Sequence, residues 1–195
     1  MSGIKSRPTY QPFALDGSGT RHLLLVDRAE IPQEAFAEGF APLSPIETWL
    51  LAAHSRAIPG RVDHDEAVPA QLSFRSRTHM LMRLEQRLHT ERMGLRLYAI
   101  GTEDFLWDVH AIGAKAGLGQ QEIHLNHAGS LRRRVICVHC RAVTENVTTS
   151  IVTCSGCGAH LFVRDHFSKR LAGFQGVQID AEEPGDIPEP EELYR

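Results

Sequence analysis

Four cysteines, and no others, stand in this chain: Cys137, Cys140, Cys154 and Cys157. They form Cys-x2-Cys, thirteen residues, then Cys-x2-Cys. Two cysteines at that spacing set both sulfurs on one side of a tight knuckle, and two knuckles supply a tetrahedron. Four thiolates at about 2.3 Å suit a closed structural zinc site. In the second knuckle Gly156 and Gly158 lower the steric cost of turning backbone amides towards the sulfurs. The segment between the knuckles, residues 142–153, is rich in valine and threonine and is expected to form a β-hairpin. The whole is predicted to be a zinc ribbon, with His139 and His160 beside an already filled tetrahedron.

Other chemistries suit the same cysteines. Two disulfides would need an oxidising compartment, and the start of the chain, Met-Ser-Gly-Ile-Lys, has no signal-peptide apolar region. A thiol-redox pair would need only one Cys-x2-Cys. Iron in a rubredoxin-like S4 site is the serious competitor, because the ligand set alone does not separate it from zinc. Against iron, the knuckles stand closer than in rubredoxins, and Arg141 occupies a place that those usually give to glycine.

The chain has 195 residues with 42% apolar and 23% charged residues, enough for one domain and a small module with a sizeable core. Twenty-one basic against 24 acidic side chains give a net charge of −3, which argues against a dedicated nucleic-acid binder. The longest apolar runs, residues 23–26 and 49–53, are far too short to span a membrane. Gly3 comes one place too late for myristoylation. A cytoplasmic location is expected.

Residues 1–22 read as a lead-in, and 23–27 as a buried strand. A short helix is expected over 46–54, with Ser44 as its cap. From residue 70 the pattern becomes regular. Residues 71–75 alternate as a strand, and Thr78 caps a helix with Leu81, Leu84 and Leu88 on one face, ended by Gly94. Residues 95–100 form a strand closed by Gly101. Thr102 caps a second helix, with Glu103 and Asp104 in its first turn and Phe105, Val109, Ile112 and Ala116 on its apolar face. Residues 122–126 form the last strand. Alternating strands and helices predict a parallel sheet, hence an α/β domain over 23–130. The ribbon is expected over 131–178, closing with a helix capped by Asp165 and carrying Phe167, Leu171 and Phe174. Residues 179–195, with seven acidic residues and three prolines, read either as a disordered solvating tail or as a strap that docks on a partner. Arg132, Arg133 and Arg134 are either a solvated face or a patch for an acidic partner. Arg164, Asp165 and His166 read more simply as a cap with surface charges than as a catalytic group.

Residues 70–127 resemble the end of the pyridine-nucleotide domain of ferredoxin-reductase-like flavoproteins, the phthalate dioxygenase reductase branch above all. Leu97-Tyr98-Ala99-Ile100-Gly101-Thr102-Glu103-Asp104-Phe105 is similar to that family's Tyr-x-Cys-Gly-Pro-x-x-Phe turn, and residues 117–125 to its closing helix and strand. Phe74-Arg75-Ser76-Arg77-Thr78 resembles the segment that meets the nucleotide ribose or 2′-phosphate, which makes Arg75, Ser76 and Arg77 the candidate NADPH-phosphate residues. The departures are large. Ile100 replaces the family's cysteine, Thr102 its proline, and Asp27-Arg28-Ala29-Glu30 stands where a Gly-Gly-x-Gly loop would approach a pyrophosphate. The flavin barrel is missing. The expectation is a degenerate, Rossmann-like nucleotide-binding fold.

Across the chain, the first knuckle with Arg134, the second knuckle, the Val163-Arg164-Asp165-His166-Phe167-Ser168 segment and the acidic end resemble the small subunit (DmmA) family of bacterial dimethylamine monooxygenase. That resemblance implies a multi-subunit enzyme that demethylates dimethylamine to methylamine and formaldehyde with NADPH and dioxygen. It implies haem on a large subunit, and FMN and a [2Fe–2S] cluster on a reductase subunit. The cysteines here are used by one S4 site, and the Cys-x-x-Cys-His haem motif does not occur. The isolated chain is therefore expected to carry no catalytic residue and to serve assembly within a hetero-oligomer. A stand-alone rubredoxin-like electron carrier is the alternative.

Overall fold

The computed structural model describes residues 6–37, 46–52 and 71–195. They form two compact units, Tyr10–Ala128 and Gly129–Arg195, the latter taking in the chain up to Thr9. The expected lead-in is thus divided at Tyr10, and the acidic end belongs to the second unit. Among the described residues, no helix is long and apolar enough to cross a membrane.

The first unit is a five-stranded parallel sheet. Its strands are β1 (Arg21–Val26), β2 (Ile46–Leu51), β3 (Gln71–Phe74), β4 (Leu95–Gly101) and β5 (Ile123–His127), in the order β3-β2-β1-β4-β5. Its central strands are buried on both faces, so β1 reads as an unbroken apolar run. Leu23 and Leu25 face α1 (Arg77–His89) and α2 (Glu103–Lys115), packing with Trp49, Met80, Leu84, Leu97, Phe105 and Val109. Leu24 and Val26 face the other way, onto Tyr98, Ile100, Phe13 and Ala35. The helix expected over 46–54 is instead β2; Ser44 and His54 lie outside the described residues. Six residues are too few for periodicity to decide, and Ile46, Thr48 and Trp49 suit a strand paired on both sides. Helix α1 starts two residues earlier than Thr78 predicts: Ser76 is the cap, its Oγ accepting from the His79 amide at 3.1 Å. It ends at His89, and Gly94, at φ +99°, turns the chain into β4.

At the amino ends of these strands two histidines flank Tyr98. His22 is buried, with Nδ1 3.3 Å from the Tyr98 hydroxyl, and His124 stacks on the Tyr98 ring at 4.8 Å. Burial holds both imidazoles below their ordinary pKa, against the pull of Asp16. Folding therefore favours the neutral rings. Their contribution is complete above the ordinary histidine value of about 6.5 and is lost as pH falls through the lower folded values. Urea titrations should show stability declining below about pH 6, with a limiting slope of roughly 1.4 kcal/mol per pH unit for each ring. His124→Phe, which keeps the stack, should remove part of that slope.

The second unit is a mixed sheet of β6 (Arg133–Cys137), β7 (Val143–Val147), β8 (Ile151–Thr153), β9 (His160–Ser168) and β10 (Gly173–Gln178), in the order β7-β6-β10-β9-β8. The segment between the knuckles is not a hairpin: β7 and β8 are the two opposite edges. Three residues join them, a reach of about 14 Å, whereas a flat sheet would hold its edges roughly 19 Å apart. The sheet must curl. The helix expected at 165–174 is also absent, replaced by the β9–β10 hairpin. Phe167 and Phe174 are cross-strand partners, edge to face at 5.0 Å, so a spacing that mimics a helical stripe is met by a turn at 169–172. Gly173 would weaken a helix by about 1 kcal/mol.

Candidate functional site

The two knuckles are the β6–β7 and β8–β9 turns, and they bring Cys137, Cys140, Cys154 and Cys157 together with all four sulfurs within 4.8 Å of one another. Cys140 Sγ lies 3.5 Å from Cys154 Sγ, and Cys137 Sγ 3.9 Å from Cys157 Sγ. The sulfur edge of a tetrahedron with 2.3 Å bonds is about 3.8 Å. The donor set therefore fits a four-coordinate metal ion. Backbone amides of Cys157 and Gly156 point at Cys154, and they pull its thiol down to about 6. The knuckles meet closely because Gly156 has no side chain: a Cβ there would lie 3.2 Å from Cys140 Sγ and 2.5 Å from Ala142 Cβ.

Each knuckle closes identically. The amide of Arg141 donates to the Cys137 carbonyl at 3.0 Å, and that of Gly158 to the Cys154 carbonyl at 3.1 Å. Both residues are left-handed, at φ +66° and +74°. The cost of an L side chain there, about 1–2 kcal/mol, falls on Arg141 and not on Gly158. Gly158→Ala should therefore destabilise the unit by about 1 kcal/mol through the backbone alone, since no atom lies within 4 Å of the added methyl. Arg141→Gly should gain about 0.5–1 kcal/mol and keep the metal. Urea denaturation and metal analysis of both variants check this.

In the first unit the strand order reverses between β1 and β4, and a cluster of side chains fills the crevice at their carboxyl ends. Arg77 grips both oxygens of Asp27, with Nη2 at 2.5 Å and Nε at 3.3 Å, and also pairs with Asp104. Thr102 donates to Asp27 at 3.0 Å and accepts from Arg77 at 3.1 Å, so its hydroxyl does not cap α2. Burial disfavours the Arg77 charge, but the two carboxylates more than offset it and raise its pKa. Asp104 is held below the usual carboxylate range by Thr102 and Arg77, against burial. Gly101 makes the closure possible, since a Cβ there would stand 2.5 Å from Asp27 Cβ. Of the three candidate phosphate residues, Ser76 is taken by the helix cap and Arg77 by the carboxylates, leaving Arg75 exposed. In the sequence Asp27 stands out only as part of the segment that replaces a glycine loop; its match with Arg77, fifty residues on, has no local signal.

The other candidates are also engaged. Arg133 is buried, 3.9 Å over the Phe174 ring and 3.8 Å over that of Tyr194, and it pairs with Asp165 at 2.8 Å. Arg134 pairs with Glu145. Only Arg132 of the three arginines is exposed. Asp165 caps no helix; it sits in β9 and joins Arg133 to Arg7, while His166 meets Ser6. The acidic end is a strap on its own unit. Glu191, Leu193 and Tyr194 hydrogen-bond across residues 148–150, between β7 and β8, and Tyr194 is buried.

Comparison with known proteins agrees with these two units. Residues 2–123 match the family model described as dimethylamine monooxygenase subunit DmmA-like, N-terminal domain, and residues 134–177 match its C-terminal domain. The delta subunit of haem-dependent oxidative N-demethylase from Ectopseudomonas mendocina (strain ymp) is 39% identical over 111 residues, 57% of this chain. The chain spans 63% of that relative's length, just under two thirds. No solved structure matches. With its larger part covered by one family model and its cysteine unit by the companion model, the chain belongs to the dimethylamine monooxygenase subunit DmmA-like family.

Proposed function

We propose that this chain is an assembly subunit of a haem-dependent oxidative N-demethylase. The complex takes dimethylamine, dioxygen, NADPH and a proton to methylamine, formaldehyde, NADP⁺ and water. The likeness to a delta subunit of such an enzyme carries this reading. Haem sits on a large partner subunit, and FMN with a [2Fe–2S] cluster on a reductase partner. The parallel unit is a Rossmann-like fold, a reading supported by its 3-2-1-4-5 strand order. Its crevice, where such folds receive a pyrophosphate, holds the Arg77 carboxylate cluster instead, so the unit offers partners a rigid surface and takes no NADPH.

The ion in the cysteine unit is zinc, which has no redox chemistry and supplies a fixed tetrahedral tie between the two knuckles. Cys137 and Cys140 hold it from the β6–β7 turn and Cys154 and Cys157 from the β8–β9 turn, so the residues of this chain hold shape and relay no electrons. The chain should be tagged in its native host and the spectrum of the purified material recorded. A Soret band with flavin and iron–sulfur absorbance is the expected result. A colourless chain isolated alone, or a red one that bleaches on reduction, would overturn the assembly reading.

A further inference from the structure

The two knuckles differ from a closed structural site in one respect. Cys137 and Cys154 are buried, but Cys140 and Cys157 are exposed. Each exposed cysteine has its sulfur near that of a buried cysteine of the opposite knuckle, Cys140 with Cys154 at 3.5 Å and Cys157 with Cys137 at 3.9 Å. One cysteine of each pair thus lies at the surface of the fold, where a small oxidant arrives. A disulfide is about 2.05 Å long, so each pair needs to close by only about 1.5–2 Å.

We propose that the four-cysteine centre is also an oxidation site, at which hydroperoxide joins Cys140 to Cys154 and Cys157 to Cys137 and expels the metal. The proposal rests on the zinc reading above. In each pair the sulfur of the exposed cysteine attacks the peroxide O–O bond, becomes a sulfenic acid and releases one water. The sulfur of the buried cysteine then attacks that sulfenic sulfur, the S–S bond forms, and the hydroxyl leaves as a second water. Two electrons pass from each pair to one peroxide. For the whole centre, two peroxides and four protons are consumed, and two disulfides, four waters and a free zinc ion are produced. Zinc itself changes no oxidation state. Haem-dependent oxygen activation sheds hydrogen peroxide when reduction outruns substrate, so a subunit of such a complex meets this oxidant where it works. Loss of the ion removes the tie between the knuckles, and the disulfides replace it with bonds of different length.

The test uses the full-length chain purified under argon, with its metal content measured first. Hydrogen peroxide is titrated in while a chromogenic chelator reports free zinc, and the disulfides are mapped by mass spectrometry of unreduced peptides. The expected result is release of one zinc per chain with an end point at two peroxides per zinc. Peptides linking Cys140 to Cys154 and Cys137 to Cys157 should accumulate in step. Dithiothreitol with added zinc should restore the starting state, and catalase should abolish the release. Zinc retained at a tenfold peroxide excess would overturn the proposal and leave the zinc reading standing. So would release accompanied by sulfinic acids, or by disulfides within a knuckle, Cys137 to Cys140 and Cys154 to Cys157. Iron in the purified chain would overturn the zinc reading, and the oxidation proposal with it.

Discussion

Arg77→Met should be among the most destabilising single changes in the first unit. The Arg77 side chain is 32% exposed, but that of its partner Asp27 is 5% exposed and keeps both oxygens on Arg77. Methionine fills much of the same volume and removes the charge, which leaves Asp27 buried without a cation and Asp104 with one ion pair fewer. Breaking a buried pair from one side costs roughly 3–5 kcal/mol, and partial access of water to Arg77 puts the expected loss near 3 kcal/mol. A urea midpoint shift at unchanged slope would measure it. One further result separates an unpaired charge from lost packing. Adding Asp27→Asn to Arg77→Met should recover part of the loss, because the orphaned charge is gone. If Arg77→Met unfolded within 0.5 kcal/mol of the wild type, the crevice would not be the tightly closed site described above. NADPH titration belongs with this experiment: neither protein should bind it, the wild type because the crevice is filled, the variant because two carboxylates remain.

What the sequence disclosed and what it hid follow one physical division. Signals set by nearest neighbours were legible. The Cys-x2-Cys spacing fixes a knuckle within four residues, and the structure brings the four sulfurs together. The apolar periods of α1 and α2, and the continuous run of β1, are local, and they led to a parallel sheet. Readings failed where a short segment satisfied two periods at once. Phe167 and Phe174 are one helical face or one cross-strand pair, and only β6 and β8, on either side of the hairpin, decide between them. The same holds for β2, whose six residues are fixed by β1 and β3. Charges were the least legible. Arg77, Arg133 and Asp165 look like surface groups on the page of letters, yet each is matched by partners 25 to 50 residues or more away. The arginine run at 132–134 was read as a solvated face or a patch for an acidic partner, and the acidic end as a solvating tail or a strap on a partner, whereas Arg133 and Tyr194 hold each other.

Cys154→Ser should abolish metal binding and unfold the second unit while the first keeps its structure. A structural zinc ion contributes apparent binding free energies of roughly 10–16 kcal/mol in zinc-finger peptides, and all of it is available to folding, because the unfolded chain holds no site. A unit of this size gains only about 3–5 kcal/mol from its own core. That margin is thin here: β7 and β8 are exposed edges, and Val143 and Phe162 are exposed apolar side chains on the sheet. Three ligands would bind the ion far more weakly than four, and the Cys154 sulfur is addressed by the backbone amides of Cys157 and Gly156. Metal analysis should fall from one ion per chain to background. Limited proteolysis should cut between 129 and 195 and spare the segment 71–128. Arg141→Gly is the control, a change in the other knuckle that keeps all four sulfurs, retains the ion and resists the protease. Full metal content in Cys154→Ser would mean that the ion is held elsewhere. A protease-resistant but metal-free variant would mean something different. The clasp of Arg133 by Phe174, Tyr194 and Asp165, at the end of the sheet away from the knuckles, would then suffice to hold the sheet, and the metal would serve a purpose other than folding.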